Sequence, residues 1–229
     1  MTVELHLLNT SGALDGLKGR IQNAFHQGCT QILSLLPLEK VDVIIRTDGW
    51  ALQQTGIGGY SPSAHVAQLT LNPQNENLLV DFEREFTATL GHELHHCLRW
   101  RGPGYGRTLG EVLVTEGLAC HFETELRGGK APFYATALDN AATAGMWENA
   151  KHDLGSCKYS HSDWFFGAAE KGMPHYTGYT LGFRIVSNYI GEKKIPASQL
   201  WGSAAGDFYI GDYVSEAKRI ELIKGVAVN

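Results

Sequence analysis

The sequence predicts an α+β fold, with a small mixed sheet near the N-terminus and helices through most of the remainder. Strand-like, β-branched stretches fall in the first third of the chain, whereas from Asn77 onward apolar residues recur at helical spacing almost to the end. No internal repeat or low-complexity segment interrupts this pattern. A chain of 229 residues with 43% hydrophobic content can bury a sizeable core. It is read as one compact domain, 1–229, with a sheet-bearing part over about 1–76 and a helical part over about 77–229.

Taken in order, VELHLL (Val3 to Leu8) reads as a short strand. Ala13 to Leu36 reads as a helix, with Leu17, Ile21, Phe25, Ile32 and Leu35 on its apolar side. VDVIIRT (Val41 to Thr47) is β-branched and predicts a second strand. TGIGGYSPSAHVAQLTLNP mixes glycine, serine and proline before a period-two stretch, which predicts a loop feeding a strand over Val66 to Leu71. Asp81 to Arg101 reads as a helix whose Phe82, Phe86, Leu90, Leu94 and Cys97 face inward. RGPGYGR (Arg101 to Arg107) predicts a turn, and TLGEVLVTEGLACHFETEL a further helix with Leu109, Val112, Leu113, Glu116, Ala119 and Cys120 along one stripe. Trp164, Phe165 and Phe166 read as core.

Charge and cysteines narrow the function classes. A net charge of -5, from 19 Lys+Arg against 24 Asp+Glu, supplies no basic face for nucleic acid or an anionic membrane. Cys29, Cys97, Cys120 and Cys157 are widely spaced without a CxxC pair, and no basic-then-apolar leader opens the chain, so a reduced, cytoplasmic protein is expected. No apolar run approaches the roughly 18 residues of a membrane span.

Chemistry concentrates in GHELHHCLRW (Gly91 to Trp100), which places three of the chain's ten histidines and a glutamate between His92 and His96. On a helix His92 and His96 are offset by one turn plus roughly 40°, so their imidazoles stack on one face and can grip a single metal ion. Glu93 lies beside them, near enough to act on a ligand of the metal without binding it. His92-Glu93-Leu94-His95-His96 thus satisfies H-E-x-x-H, in which two histidines bind zinc and the glutamate is a general base. The bland alternative is a solvated polar face. His95, one step around the wheel, is read as a supporting or packed residue.

Catalytic zinc takes three protein groups and keeps one position for water. Glu116 is the leading third ligand, because a carboxylate inside an apolar stripe is costly unless neutralised. Gly117 beside it is tolerable if it lets this helix approach the histidine helix closely. Glu111 and Glu123 are fallback ligands, and the competing reading pairs Glu116 with a buried Arg99 or Arg101. Cys97, on the apolar face, and Cys120, one turn from Glu116, are kept out of the ligand set.

HELHH followed by TEGLA resembles the gluzincin zinc peptidases, whose third ligand is a glutamate on a second helix. The longer pattern HELHHCLRW...GEVLVTEGLACHF is similar to a bacterial family of predicted zinc-dependent proteases. The resemblance runs from about Gly56 to Phe122. It implies a zincin-like fold, Zn2+ held by His92, His96 and Glu116, and an edge strand beside the active-site helix supplied by GIGGYSPSAHVAQLTLNP. HYTGYTLGFRIV (His175 to Val186) resembles the tyrosine-bearing helix that some gluzincin oligopeptidases place over the metal, with Phe183 and Val186 where that pattern has tyrosines.

The activity implied is hydrolysis of peptide bonds in a peptide or protein substrate. Glu93 takes the proton of a metal-activated water and passes it to the leaving nitrogen. Tyr179 is the expected oxyanion donor, with His175 and Tyr176 behind it, and the strand near Val66 to Leu71 is expected to pair with an extended peptide. Two other readings stay open: a zinc-binding regulatory protein without turnover, against which the presence of Glu93 speaks, and hydrolysis of a non-peptide amide.

Overall fold

The computed structural model describes residues 3–209. The β-branched segments form β1 (Val3–Leu7), β2 (Val41–Arg46) and β4 (Val66–Leu71), and a further strand, β3 (Ile57–Ser63), lies within the expected loop. The sheet order is β1-β2-β4-β3, parallel from β1 through β2 to β4 and antiparallel at β3. The expectation that Val66 to Leu71 is the edge is therefore corrected: β4 is flanked on both sides, and the edges are β1 and β3, of which β3 packs on α2.

The composition that hid β3 has a physical cause. A Cβ on Gly58 would fall 2.2 Å from the carbonyl oxygen of Trp50, and one on Gly59 would fall 2.3 Å from the Glu93 carboxylate. Both glycines answer a close approach rather than a turn. Pro62, which has no N–H to give a ladder, sits where the β3–β4 register shifts between Tyr60 and Ser63.

One face of the sheet is apolar, with Val41, Val43 and Ile45 alternating inward on β2 and Ala67, Leu69 and Leu71 on β4. Helix α2 (Phe82–Arg99) packs on β3 and β4 and against α1 (Lys18–Leu33), which also touches β1. Helix α1 is shorter than the periodicity suggests. It begins after a tight turn at Asp15–Leu17 and stops at Leu33, so Leu35 is exposed while Leu36 and Leu38 enter the core beyond the helix end. Glu4, His6 and Asp42 are exposed on the other face.

The described residues gather into two compact units, 3–102 with 122–130, and 103–121 with 131–209. Helix α3 (Leu109–Leu126) contributes its first turns to the second unit and its last to the first. The second unit also holds α4 (Asn140–Ala150), α5 (His161–Phe166) and α6 (Thr177–Lys193), with α6 packed against α4, α5 and the turn at Phe133–Thr136. Helix α4 starts where the Asp139 carboxylate accepts the Ala142 N–H, and α5 where the Ser160 hydroxyl accepts that of Asp163.

Helices α3 and α6 cross backbone to backbone. A Cβ on Gly117 would stand 2.2 Å from the Gly182 carbonyl oxygen, and one on Gly182 2.1 Å from that of Leu113. Gly117 thus serves a close approach, here to α6. Trp164 and Phe165 are core residues, but Phe166 is exposed, because a six-residue helix cannot bury three consecutive aromatics on one side. All four cysteines are free thiols, only Cys157 exposed. No described helix is long and apolar enough to cross a membrane.

Substituting Gly182→Ala is expected to lower stability by on the order of 1–3 kcal/mol, since neither backbone at the crossing can yield cheaply. Gly145→Ala, at an exposed position of α4 with nothing within 4 Å of the added methyl, should instead leave stability unchanged or raise it, by up to about 1 kcal/mol. Urea unfolding midpoints of the two variants check the contrast.

Candidate metal centre

Helix α2 is buried from Leu90 through Arg99, polar residues included. His92 and His96 are only 6% and 4% exposed, which removes the solvated-face alternative. Their rings lie one turn apart as the spacing requires and meet edge to face, centroids 4.6 Å apart and planes at 81°. The last turns of α3 run antiparallel alongside: Gly91 makes room for Leu126 and Phe122, and His95, fully buried, lies with its ring 5.7 Å from that of Phe122.

The Glu123 carboxylate stands 2.8 Å from Nδ1 of His92. A carboxylate only accepts, so Nδ1 carries the proton and donates, and the lone pair is left on Nε2. Glu123 itself accepts from the Arg127 guanidinium at 3.2–3.3 Å, and Arg127 clasps Glu85 through two 2.7 Å bonds. Arg84 adds a contact to Glu85 at 3.2 Å. Burial alone would raise the Glu85 carboxyl, but the Arg127 and Arg84 guanidiniums outweigh it and hold it below its ordinary 4.5.

Glu93 turns toward the edge strand. Its carboxylate lies over the backbone of Gly59, and the Ser61 hydroxyl sits 2.8 Å from both Oε2 and the Glu93 carbonyl oxygen. The Cys97 thiol approaches Ser61 Oγ at 3.7 Å and the Val66 carbonyl at 3.4 Å. Burial pushes that thiol up to about 12, which keeps it a neutral donor rather than a thiolate. Arg101 spends its guanidinium on the carbonyls of Glu39, Lys40 and Ala64.

In the second unit Glu116 is buried on α3, and the Tyr105 hydroxyl donates to its Oε1. Gly104 and Gly106, on either side of Tyr105, adopt φ of +87° and +112°, which only glycine takes readily. Glu111, a fallback ligand by sequence, is instead the cap of α3: its carboxylate accepts the N–H groups of Arg107 and Thr108, and the Thr108 hydroxyl accepts that of Glu111. Glu123, the other fallback ligand, is the hydrogen-bond partner of His92 and remains among the residues that could hold a metal ion. Helix α3 is uninterrupted, so Glu116, two turns before Glu123, lies within roughly 20° of it around the helix.

Tyr179 sits on α6, its ring 4.8 Å from those of Tyr134 and Phe165, while His175 and Tyr176 precede the helix. The aromatic row runs on from Phe165 to His161, at 4.4 Å, and from His161 to Tyr105, at 6.4 Å. Sequence reasoning missed Tyr105, Ser61 and Arg127. The signals were a tyrosine between two glycines and an i,i+4 Glu-Arg pair.

Residues 21–209 match the family described as Predicted Zn-dependent protease (DUF2268). The chain belongs to this family. No curated protein and no solved structure matches it. The family description calls for zinc, and the donor chemistry fits. His92, His96 and Glu116 are buried and each offers one ligand atom. The Nδ1 bond of His92 to Glu123 has the form of the carboxylate–histidine pairs by which metal-binding imidazoles are generally oriented.

The Arg127–Glu85 pair sets a pH signature. A carboxyl held low when folded contributes stability that is full above 4.5 and is lost as pH falls through the lower folded value. Unfolding free energy of the wild type should therefore drop more steeply below pH 4.5 than that of Glu85→Gln. At neutral pH the variant should be less stable by about 3 kcal/mol, the low end for a broken buried pair, because Arg127 keeps Glu123. Denaturant titrations at a series of pH values measure both effects.

Proposed function

We propose that the chain is a gluzincin-type zinc metallopeptidase that hydrolyses peptide bonds, with His92, His96 and Glu116 holding the metal and Glu93 acting as general base. The observation that carries this is the His92–Glu123 bond, which fixes the tautomer that turns Nε2 into a ligand atom. A zinc ion bound there supplies Lewis-acid polarisation of a carbonyl and acidifies a water to near neutrality. Glu93 is held for the proton transfer: Ser61 fixes one carboxylate oxygen, and the missing side chain of Gly59 lets the group lie against β3. Taking a proton from water and giving it to the leaving nitrogen is work for a carboxylate with one oxygen already oriented.

An extended substrate has a partner in β3, the edge strand that touches Glu93: between the Ile57 and Ser61 carbonyls, which Leu52 and Trp100 already engage, pairing at Gly59 brings a scissile bond beside the base. Tyr179 is the proposed oxyanion donor, its ring steadied between Tyr134 and Phe165.

Glu93→Gln should retain about one zinc per chain while turnover of a mixed peptide library falls by at least about 100-fold. His92→Ala and Glu116→Ala should lose the metal as well, as measured by elemental analysis after zinc reconstitution. Full metal content and full activity in Glu116→Ala would remove it from the ligand set.

Tyr179→Phe, with zinc content unchanged, should lower kcat by about 100- to 1,000-fold and leave KM nearly constant. An unaltered kcat would return Tyr179 to the aromatic row as a packing residue.

A further inference from the structure

We infer that Tyr105 is a positioning residue for the metal centre: its hydroxyl holds one oxygen of the Glu116 carboxylate and aims the other for coordination. This rests on the proposed ligand set and goes beyond it, because nothing in H-E-x-x-H or the downstream glutamate calls for a tyrosine in the intervening turn.

The phenol donates to Oε1 of Glu116, a carboxylate buried to 3% exposure. A carboxylate can meet a dication with one oxygen or two, and a donor on Oε1 favours a single-oxygen contact through Oε2. The turn is built to bring the ring there. Gly104 and Gly106 take left-handed backbone angles on either side of Tyr105, and a Cβ on Gly106 would lie 2.6 Å from that of Glu111. Glu111 ties the turn to the helix start by accepting two successive backbone N–H groups. The ring reaches along α3 over the eleven residues from Tyr105 to Glu116. A second phenol, Tyr159, feels Glu116 differently: burial first, then the Glu116 charge, raise its pKa, but it makes no hydrogen bond to that carboxylate.

Carboxylate ligands are themselves hydrogen-bonded in metal sites, and loss of such a partner weakens metal binding by about 10- to 100-fold. The test is zinc affinity of the full chain by competition with a chromogenic chelator, for the wild type, Tyr105→Phe, Glu116→Ala, the double variant and Tyr159→Phe. Tyr105→Phe is expected to weaken zinc binding by about 10- to 100-fold, with the circular dichroism of the metal-free chain unchanged. Tyr159→Phe should bind as the wild type does. In the Glu116→Ala background the Tyr105 substitution should cost almost nothing more, because its effect passes through Glu116. Wild-type affinity in Tyr105→Phe, alongside lost affinity in Glu116→Ala, overturns this inference and leaves the ligand set standing. An equal loss in both backgrounds overturns it too, by assigning Tyr105 a general structural role. Wild-type affinity in Glu116→Ala overturns the ligand set and the inference together.

Discussion

A buried helix can carry polar side chains only if each is answered by a partner, because an unanswered donor or charge costs several kcal/mol in a medium that cannot solvate it. Helix α2 buries His92, Glu93, His95, His96 and Arg99. Much of the first unit is the set of answers. The end of α3 lies antiparallel to α2 so that Glu123 reaches His92 and Phe122 covers His95. Arg127 follows one turn later to neutralise Glu123, and Glu85, near the start of α2, closes that chain of charges. On the other side β3 supplies a hydroxyl to Glu93. The elements needed to stabilise a polar helix are thus the same ones that orient the His92 imidazole and the Glu93 carboxylate.

Most of the fold was legible because hydrophobic periodicity governs it. Three of the four strands, and the helices bearing His92 and Glu116, stand where apolar residues recur at the right period. The histidine pair was legible for the same reason, since spacing on a helix converts directly into direction. The illegible parts are those where one local requirement overrides propensity. Strand β3 reads as loop because Gly58 and Gly59 are demanded by the Trp50 carbonyl and the Glu93 carboxylate, contacts that lie far off in sequence or on another element. Gly117 was legible as a close-approach residue but not as a contact of α6, because a sequence names the small residue and not its partner.

The roles of the acidic residues on α3 divide along similar lines. Glu111, Glu116 and Glu123 are alike in composition, and only geometry separates a helix cap, a carboxylate met by a phenol and the partner of a histidine. The T-x-x-E spacing of Thr108 and Glu111 was a readable capping signal. The i,i+4 spacing of Glu123 and Arg127 was likewise readable, whereas the eleven-residue reach of Tyr105 to Glu116 depends on two left-handed glycines whose backbone angles no pattern announces.

The interrupted register of β3 bears on how separate chains behave toward one another. An edge strand is a template on which any extended backbone can continue a sheet, and a long flat edge invites unlimited stacking of copies. Here the ladder is regular only from Ile57 to Tyr60 before Pro62 and the register shift break it. Part of its outward backbone is also taken, the Ile57 carbonyl accepting the Leu52 N–H and the Ser61 carbonyl the Trp100 indole N–H, so the open edge is too short to nucleate a growing sheet. The strand that brings a backbone edge to Glu93 thereby carries its own guard against self-association, written in the same proline and glycines that disguise it in the sequence.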